Sequence, residues 1–566
     1  MHPASKPIKI ALLLVLGVFA LRLIYLIWLC PYDLVEDEAH YWLWAQYLDW
    51  SYYSKGPGVA WAIALSTRIF GNAEWAVRLP ALIMSLVGGL TVVGLTHDVA
   101  RGASRTLSAG TIALYAACAY LLAPVMQMTS ILMTIDGPFM ACWAIACWAA
   151  WRILERASKP AWIALGAALA FGFLFKYTML LLLPGLLIYA WSRRKHIRGQ
   201  ASLSAPWVIA GGLVALLGLL PVVIWNAQNG WVTVKHLMGH MGIRGGDVPT
   251  QSIDAGQPWS IAWFFEFIGQ QFGIVGPALA LALIAAWKFF RAKPRDPAPG
   301  KLFLICCGLP VLIFYALVSL MTETEGNWPI AAYVTLLPLA GWWAAELAQE
   351  RRDRAAAGQQ PRRGSRLLWH ATIIYGVCAA LLLHRTDLWA RGLNTLNQTT
   401  AFRAAFERIT GREPRPVEVG RLMGSKVMGV HAARLLDDLH ARTGQAPFLV
   451  GDHYGRISQL AYYLMRDGGR HVDVFAAMKQ VGGRTSQFDV WPHTSLARPD
   501  LVGRPALIIS GSAAGKTAFW NQVFEKVEPV PGERLDGEHR EYRKAFFGTG
   551  YRGWSEDGAR LRENNR

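Results

Sequence analysis

The sequence predicts a polytopic α-helical membrane protein of about eleven spans followed by a soluble α/β domain, and three observations carry that prediction. The 566 residues are 53% hydrophobic and only 17% charged, with 25 tryptophans, too apolar a mixture for soluble domains of this total length. Apolar runs able to cross a hydrocarbon core of ~30 Å recur through the first two thirds of the chain. From about residue 386 the composition turns charged and mixed.

The runs fall at 10–30, 79–95, 107–126, 133–151, 162–175, 178–191, 207–225, 268–287, 302–321, 328–347 and 367–383. The fifth and sixth are the shortest. The first is followed by Pro31, Tyr32 and an acidic cluster instead of a small-residue cleavage site, so it reads as a retained helix. Lys and Arg beside a span resist translocation. The segments on the N-terminal side of the membrane (1–9, 98–106, 152–161, 192–206, 288–301 and 348–366) hold 22 of them, and the opposite loops within the membrane region hold 6. The amino terminus is therefore expected in the cytoplasm of a bacterial inner membrane, and the region after about residue 383 in the periplasm.

This division gives a membrane domain at 1–385, with long outer loops at 31–78 and 226–267, and a periplasmic α/β domain at 386–566. In the latter, helix-like stretches (427–439, 457–465) alternate with strand-like runs (447–450, 506–509). Residues 351–366, rich in Arg, Ala, Gln and Gly, read as a flexible cytoplasmic connection. The net charge of +18 sits largely in short loops such as Arg193, Arg194, Lys195 and Arg351, Arg352, Arg354, which topology and lipid headgroups explain without nucleic acid. All seven cysteines lie in or beside apolar spans, which argues against disulfides and zinc-cysteine sites.

Two stretches of the first outer loop carry the chemistry. Glu36-Asp37-Glu38-Ala39-His40-Tyr41-Trp42 puts carboxylates near the headgroup plane. Asp37 or Glu38 there could take a proton from an acceptor or hold a metal, or could simply mark a helix end. Tyr41, Trp42, Trp44 and Leu48 recur at helical spacing, which predicts an amphipathic helix lying in the interface. Tyr52-Tyr53-Ser54-Lys55-Gly56-Pro57 sets one lysine in a loop poor in basic residues; Lys55 suits a phosphate, or snorkels to water. Charges inside or beside a bilayer are costly unless paired, which makes Arg22, Asp136 and Lys176 candidates for an inner cavity, with a structural pair as the alternative for Arg22.

Together these segments resemble glycosyltransferase family 39 of the GT-C type, the relatives of dolichyl-phosphate-mannose protein mannosyltransferases and of the bacterial aminoarabinose transferase that modifies lipid A. Asp37-Glu38-Ala39-His40-Tyr41-Trp42, Lys55-Gly56-Pro57 and Arg78-Leu79-Pro80 match its opening motifs in order and spacing. Asp136-Gly137-Pro138, Lys176-Tyr177-Thr178, Trp225-Asn226, Asn327-Trp328-Pro329, Asp452-His453-Tyr454 and 486–491 continue the likeness along nearly the whole chain. The resemblance implies a GT-C fold and an inverting transfer of a sugar from a polyprenyl-phosphate donor to a lipid, glycan or protein acceptor at the membrane. It implies Asp37, Glu38 and Asp136 as catalytic acids, and Lys55, Lys176 and Arg22 as contacts of the donor phosphate. It places His40, Tyr41, Tyr53, Asn327 and Trp328 along the substrate cavity.

No cofactor is demanded; a divalent metal ion, if used, falls to Asp37 and Asp136. Ser54 stands where relatives often carry an acid, and Gly56-Pro57 replaces Pro-Pro, which leaves metal dependence open. A multi-span transporter or flippase is the competing class, as is a non-catalytic assembly subunit, but a flippase leaves the exported domain and the one-sided acids unexplained. Two further patterns are weaker. His236 and His240 are one helical turn apart without the carboxylate a hydrolase would need, and 511–517 resembles a phosphate-binding loop with one residue too few between its glycines.

Overall fold

The computed structural model describes residues 6–554 except 105, 242, 244, 248–258, 293–297, 361–363, 411–412, 414–416, 418, 421, 468–469, 511–513 and 537–541. Part of the second long outer loop and Gly511, Ser512 and Ala513 of the glycine-rich loop thus lie outside the described residues.

The membrane region comprises α1 (Lys6–Ile24, continued by a π-turn Tyr25–Leu29), α2 (Glu36–Gln46), α3 (Gly58–Phe70), α4 (Glu74–Ala100), α5 (Ala109–Leu122), α6 (Pro124–Ile131), α7 (Asp136–Arg156), α8 (Ala161–Phe175), α9 (Leu182–Ser192), α10 (Arg194–Ile197), α11 (Ala205–Gln228), α12 (Val232–His240), α13 (Ile261–Val275), α14 (Pro277–Arg291), α15 (Pro299–Val318), α16 (Tyr333–Ala356) and α17 (Gly364–His384). Each apolar run read from the sequence falls on these helices. Seven are long and apolar enough to cross a membrane alone, and two bent pairs raise the number to nine among the described residues. The two short runs become Ala161–Phe175 and Tyr177–Ser192.

Two spans expected as straight are broken. At 107–126 the chain turns by 66° between α5 and α6, where Pro124 cannot donate the hydrogen bond that would continue the helix. At 268–287 it turns by 107° between α13 and α14. Gly276 makes that corner with φ of +75°, and the ring of Tyr375 occupies the place a side chain would need, so glycine is required twice over.

The C-terminal region comprises α18 (Thr386–Asn397), α19 (Thr400–Thr410), α20 (Ser425–Thr443), β1 (Phe448–Gly451), α21 (Tyr454–Met465), β2 (Val474–Ala476), β3 (Ala506–Ser510), α22 (Ala514–Val523), β4 (Phe524–Asp536) and β5 (Tyr542–Tyr551). The strand order is β2-β1-β3-β5-β4; β1 runs parallel to β2 and β3, and β5 runs antiparallel to β3 and β4. β1 and β3 read as unbroken apolar runs because both faces are covered. Leu449, Leu507 and Ile509 join the core shared with α20 and α21, whereas Phe448, Val450 and Ile508 pack with Phe519, Trp520 and Phe524.

The tail and the membrane region share one core through α2 and α21. Eight of the eleven residues of α2 are buried, which corrects the expectation of an amphipathic helix lying in the interface. Trp42 meets Tyr462 edge-on at 5.0 Å, and the Leu34 amide donates to the Tyr463 hydroxyl at 2.9 Å. The aromatic spacing that suggested a membrane edge is a two-sided contact between regions.

Candidate active site

The loop joining α2 to α3 is a tight turn: the Tyr52 amide donates to the Lys55 carbonyl at 3.0 Å, and the Ser51 hydroxyl reaches the same oxygen at 3.2 Å. Tyr52 stacks on Trp44 with centroids 4.3 Å apart. Gly56 fits beneath because a side chain there would collide with the Leu174 carbonyl at the end of α8. From the tail, the Gln487 side-chain oxygen accepts from the Tyr53 amide at 2.6 Å. So fixed, the turn presents Lys55, a half-buried ammonium with no hydrogen bond or ion pair among the described residues.

Asp136 opens α7 with both oxygens engaged: Lys176 Nζ donates to one at 2.8 Å and Asn327 Nδ2 to the other at 2.7 Å. Lys176 also donates to the Asn327 carbonyl at 3.1 Å. Three residues expected at the site, distant in sequence, thus form one closed cluster at three helix boundaries. Asp136 and Lys176 both lie within electrostatic range of Lys55.

Asp37, on the first turn of α2, keeps water-accessible surface although Tyr41, Lys55, Tyr454 and Arg484 surround it. Removal from bulk water pushes its carboxyl above the usual range, opposed by the cations of Lys55 and Arg484. Lys55 is brought down to about 8, by burial first and then by repulsion from Lys176. Tyr41 is buried against Trp44, with centroids 5.0 Å apart, and makes no hydrogen bond among the described residues.

Beside Lys55 stands a second polar group. The Tyr53 hydroxyl donates to Asp247 at 2.7 Å and lies 3.1 Å from His236 Nδ1, and the Nε2 atoms of His236 and His240 are 3.1 Å apart. Burial lowers both imidazoles, His240 to about 3, so both are neutral at physiological pH. Trp328 closes this side, edge-on to His240 at 5.7 Å.

Three expected site residues have other duties. Glu38 is fully buried and forms a two-pronged pair with Arg78, at 2.9 Å to Nε and 2.7 Å to Nη2. It also accepts from the Val35 and Met133 amides, so its oxygens are committed to joining α2 to α4. His40 accepts from Trp44 Nε1 at 3.1 Å, which leaves its Nδ1 proton for Ser458 at 2.9 Å; burial holds it neutral, down to about 3. It bridges α2 to α21. Arg22 is buried on α1 within electrostatic range of Tyr120 of α5. Each oxygen of Asp136 accepts one hydrogen bond, and among the described residues no group of three or more His, Cys, Asp or Glu is placed to hold an ion.

Two residues of the site were not singled out as site residues from the sequence. Tyr454 and Arg484 come from the tail, and Arg484 lies within electrostatic range of Asp37, Lys55, Tyr53 and His236. The likeness noted at 452–454 and 486–491 brackets both and was the available signal.

Comparison with known proteins agrees with this architecture. Residues 54–225 match the family model of dolichyl-phosphate-mannose-protein mannosyltransferase. The lipid A galacturonosyltransferase RgtD of Rhizobium johnstonii is 29% identical over 343 residues, which is 58% of this chain and 64% of that protein. The match therefore spans less than two thirds of the relative's length. ArnT from Cupriavidus metallidurans superposes with a TM-score of 0.59 when bound to undecaprenyl phosphate and 0.57 in the apo state, each at 14% identity over 94% of this chain and 97% of that one. The chain is a multi-pass membrane protein with the GT-C glycosyltransferase fold.

Proposed function

We propose that the protein transfers a sugar from a polyprenyl-phosphate carrier to an envelope acceptor, with lipid A as the leading candidate, on the periplasmic face of the inner membrane. The observation that carries this reading is Lys55: an ammonium with no ion pair among the described residues, held in a tight turn beside a carboxylate that keeps access to water. A lone cation so placed has a phosphodiester as its natural partner. The lipid A activity of the Rhizobium relative and the undecaprenyl phosphate bound to ArnT support the acceptor and donor classes.

In this mechanism an acceptor oxygen attacks the anomeric carbon from the face opposite the phosphate. Asp37 takes the acceptor's proton as the new bond to carbon forms. The bond from that carbon to the phosphate oxygen breaks with its electron pair on the phosphate, and Lys55 offsets the charge that gathers there. Inversion follows from the single displacement. Lys176, held by Asp136, repels the Lys55 ammonium, and an anion bound at Lys55 would offset that repulsion. No step is routed through a metal.

The deciding experiment is transfer from extracted polyprenyl-phosphate sugars in reconstituted membranes, with lipid and protein fractions mass-analysed for a new sugar. Asp37→Asn is expected to lower the rate by about 10²–10⁴-fold while the protein stays folded. Full activity in that variant would remove Asp37 from the mechanism, and no product from any donor with the unaltered chain would favour a transporter or an assembly subunit.

A further inference from the structure

We propose that the C-terminal region is part of the catalytic machinery: Tyr454 and Arg484 form a positioning pair that holds the Asp37 carboxylate in its working place and charge state. The inference rests on the transferase reading above and gives the tail a part in the chemistry.

The geometry is a chain of contacts that crosses between the two regions. Arg484 Nη2 donates to the Tyr454 phenolic oxygen at 2.7 Å, and its guanidinium carbon lies 5.1 Å from the centre of the same ring. The Tyr454 hydroxyl donates to Asp37 Oδ1 at 3.4 Å. A phenol has one proton to give; with its oxygen accepting from arginine, that proton is polarised toward the carboxylate. The hydrogen-bond partner of Arg484 is thus a neutral hydroxyl, so its positive charge is not spent on an adjacent acid.

The contact is fixed on both sides. Tyr454 is the first residue of α21, whose start is capped by His453, with Nδ1 accepting from the Gly455 amide at 3.2 Å. A side chain at position 455 would strike Glu36, so α2 and α21 meet at a glycine. Ser458 of α21 takes the proton of His40, and the Tyr454 and His40 rings lie 4.7 Å apart. The turn of α2 that carries Asp37 is thus seated against the start of α21.

The charged and titratable groups that face Asp37 are Glu36 on its own helix, Tyr41 one turn on, Lys55 from the loop, and Tyr454 and Arg484 from the tail. Burial and Glu36 favour the protonated acid; Lys55, Arg484 and the Tyr454 hydrogen bond favour the carboxylate. Arg484 also repels the Lys55 ammonium, adding to the depression of that group. The signs for the two working groups are then opposite in consequence. Activity should rise with pH as Asp37 ionises and fall as pH passes the value of Lys55, about 8.

Loss of Arg484 removes one influence from each group, and both pKa values rise. Loss of the Tyr454 hydroxyl acts on Asp37 alone. The test is the pH profile of kcat/KM for the full-length protein in reconstituted membranes, comparing Arg484→Gln, Tyr454→Phe and Arg484→Lys with the unaltered chain. Arg484→Gln should move both limbs to higher pH by about half a unit to one unit. Tyr454→Phe should move the acid limb only, and Arg484→Lys should keep both limbs near their original positions with a lower plateau. Plateaus that fall at every pH with limbs unmoved would reduce the pair to a structural contact, and unchanged profiles in both variants would dismiss it. An unaltered chain that yields no product from any donor would instead overturn the transferase reading, and this inference with it.

Discussion

Asp37 and Glu38 show how far adjacent residues of one type can part. A helix rotates successive side chains by about 100°. From the first turn of α2 that rotation leaves Asp37 with water-accessible surface and sends Glu38 to the guanidinium of Arg78, where both partners are fully buried. The sequence shows three acids in a row, Glu36, Asp37 and Glu38, and beyond the family resemblance, which favours Asp37, their spacing does not rank them, because the deciding fact is the placement of Arg78 forty residues on. Asp136 and Lys176 are easier to read, since each is a charge at the end of an apolar span, whereas Asn327 is legible only through the family resemblance at Asn327-Trp328-Pro329. Tyr454 and Arg484 were hardest, because a tyrosine and an arginine in a charged tail look like ordinary surface residues. The two acids should therefore respond differently to the same chemistry. Glu38→Gln leaves the Arg78 cation buried without its counter-charge and should cost about 3–5 kcal/mol of stability, seen as a lower melting temperature in detergent. The Glu38→Gln/Arg78→Met pair should cost less than the sum of the two single changes. Asp37→Asn should melt close to the unaltered protein; a drop as large as that of Glu38→Gln would make Asp37 structural too.

Among the elements, helices were legible wherever an apolar run was long, and the strands β1 and β3 wherever the run was short and continuous, within a residue of their observed bounds. What period and composition do not reveal is a corner: α13 and α14 share one apolar run, and only the conformation of Gly276 turns it. Nor do they reveal a close approach. Gly56 reads as part of a turn, yet its role is to let the Lys55 loop lie against the backbone of α8 at Leu174. Gly56→Ala should thus lift the loop while leaving Lys55 itself unaltered. Overpacking of this kind costs about 1–3 kcal/mol, and a shift of the ammonium away from the phosphate should weaken donor binding by roughly tenfold or more. The comparison is Gly17→Ala on α1, where no atom lies near the added carbon. Equal donor affinity in the two variants would show that the loop does not depend on its seat.

Across the whole molecule the tail and the first outer loop must lie on one side of the membrane, because they build the site jointly. Gln487 holds the Tyr53 amide, Tyr463 accepts from Leu34, and Asn72 both accepts from Trp42 and donates to the Arg466 carbonyl. This linkage turns the charge asymmetry of the loops into a test of mechanism. If the basic segments face the cytoplasm, Asp37, Lys55 and Arg484 face outward together, and the donor must present its phosphate in the outer leaflet. The native cysteines lie in or beside apolar spans and are all free, so single introduced cysteines report sidedness against a quiet background. A membrane-impermeant maleimide should label Asp467→Cys, in the exposed turn after α21, in intact spheroplasts. It should label Gln359→Cys, beyond the end of α16, only after permeabilisation. The reverse pattern would put Asp37 and Lys55 in the cytoplasm, where they could meet soluble nucleotide sugars, and the case for a lipid-carried donor would lose its geometric footing.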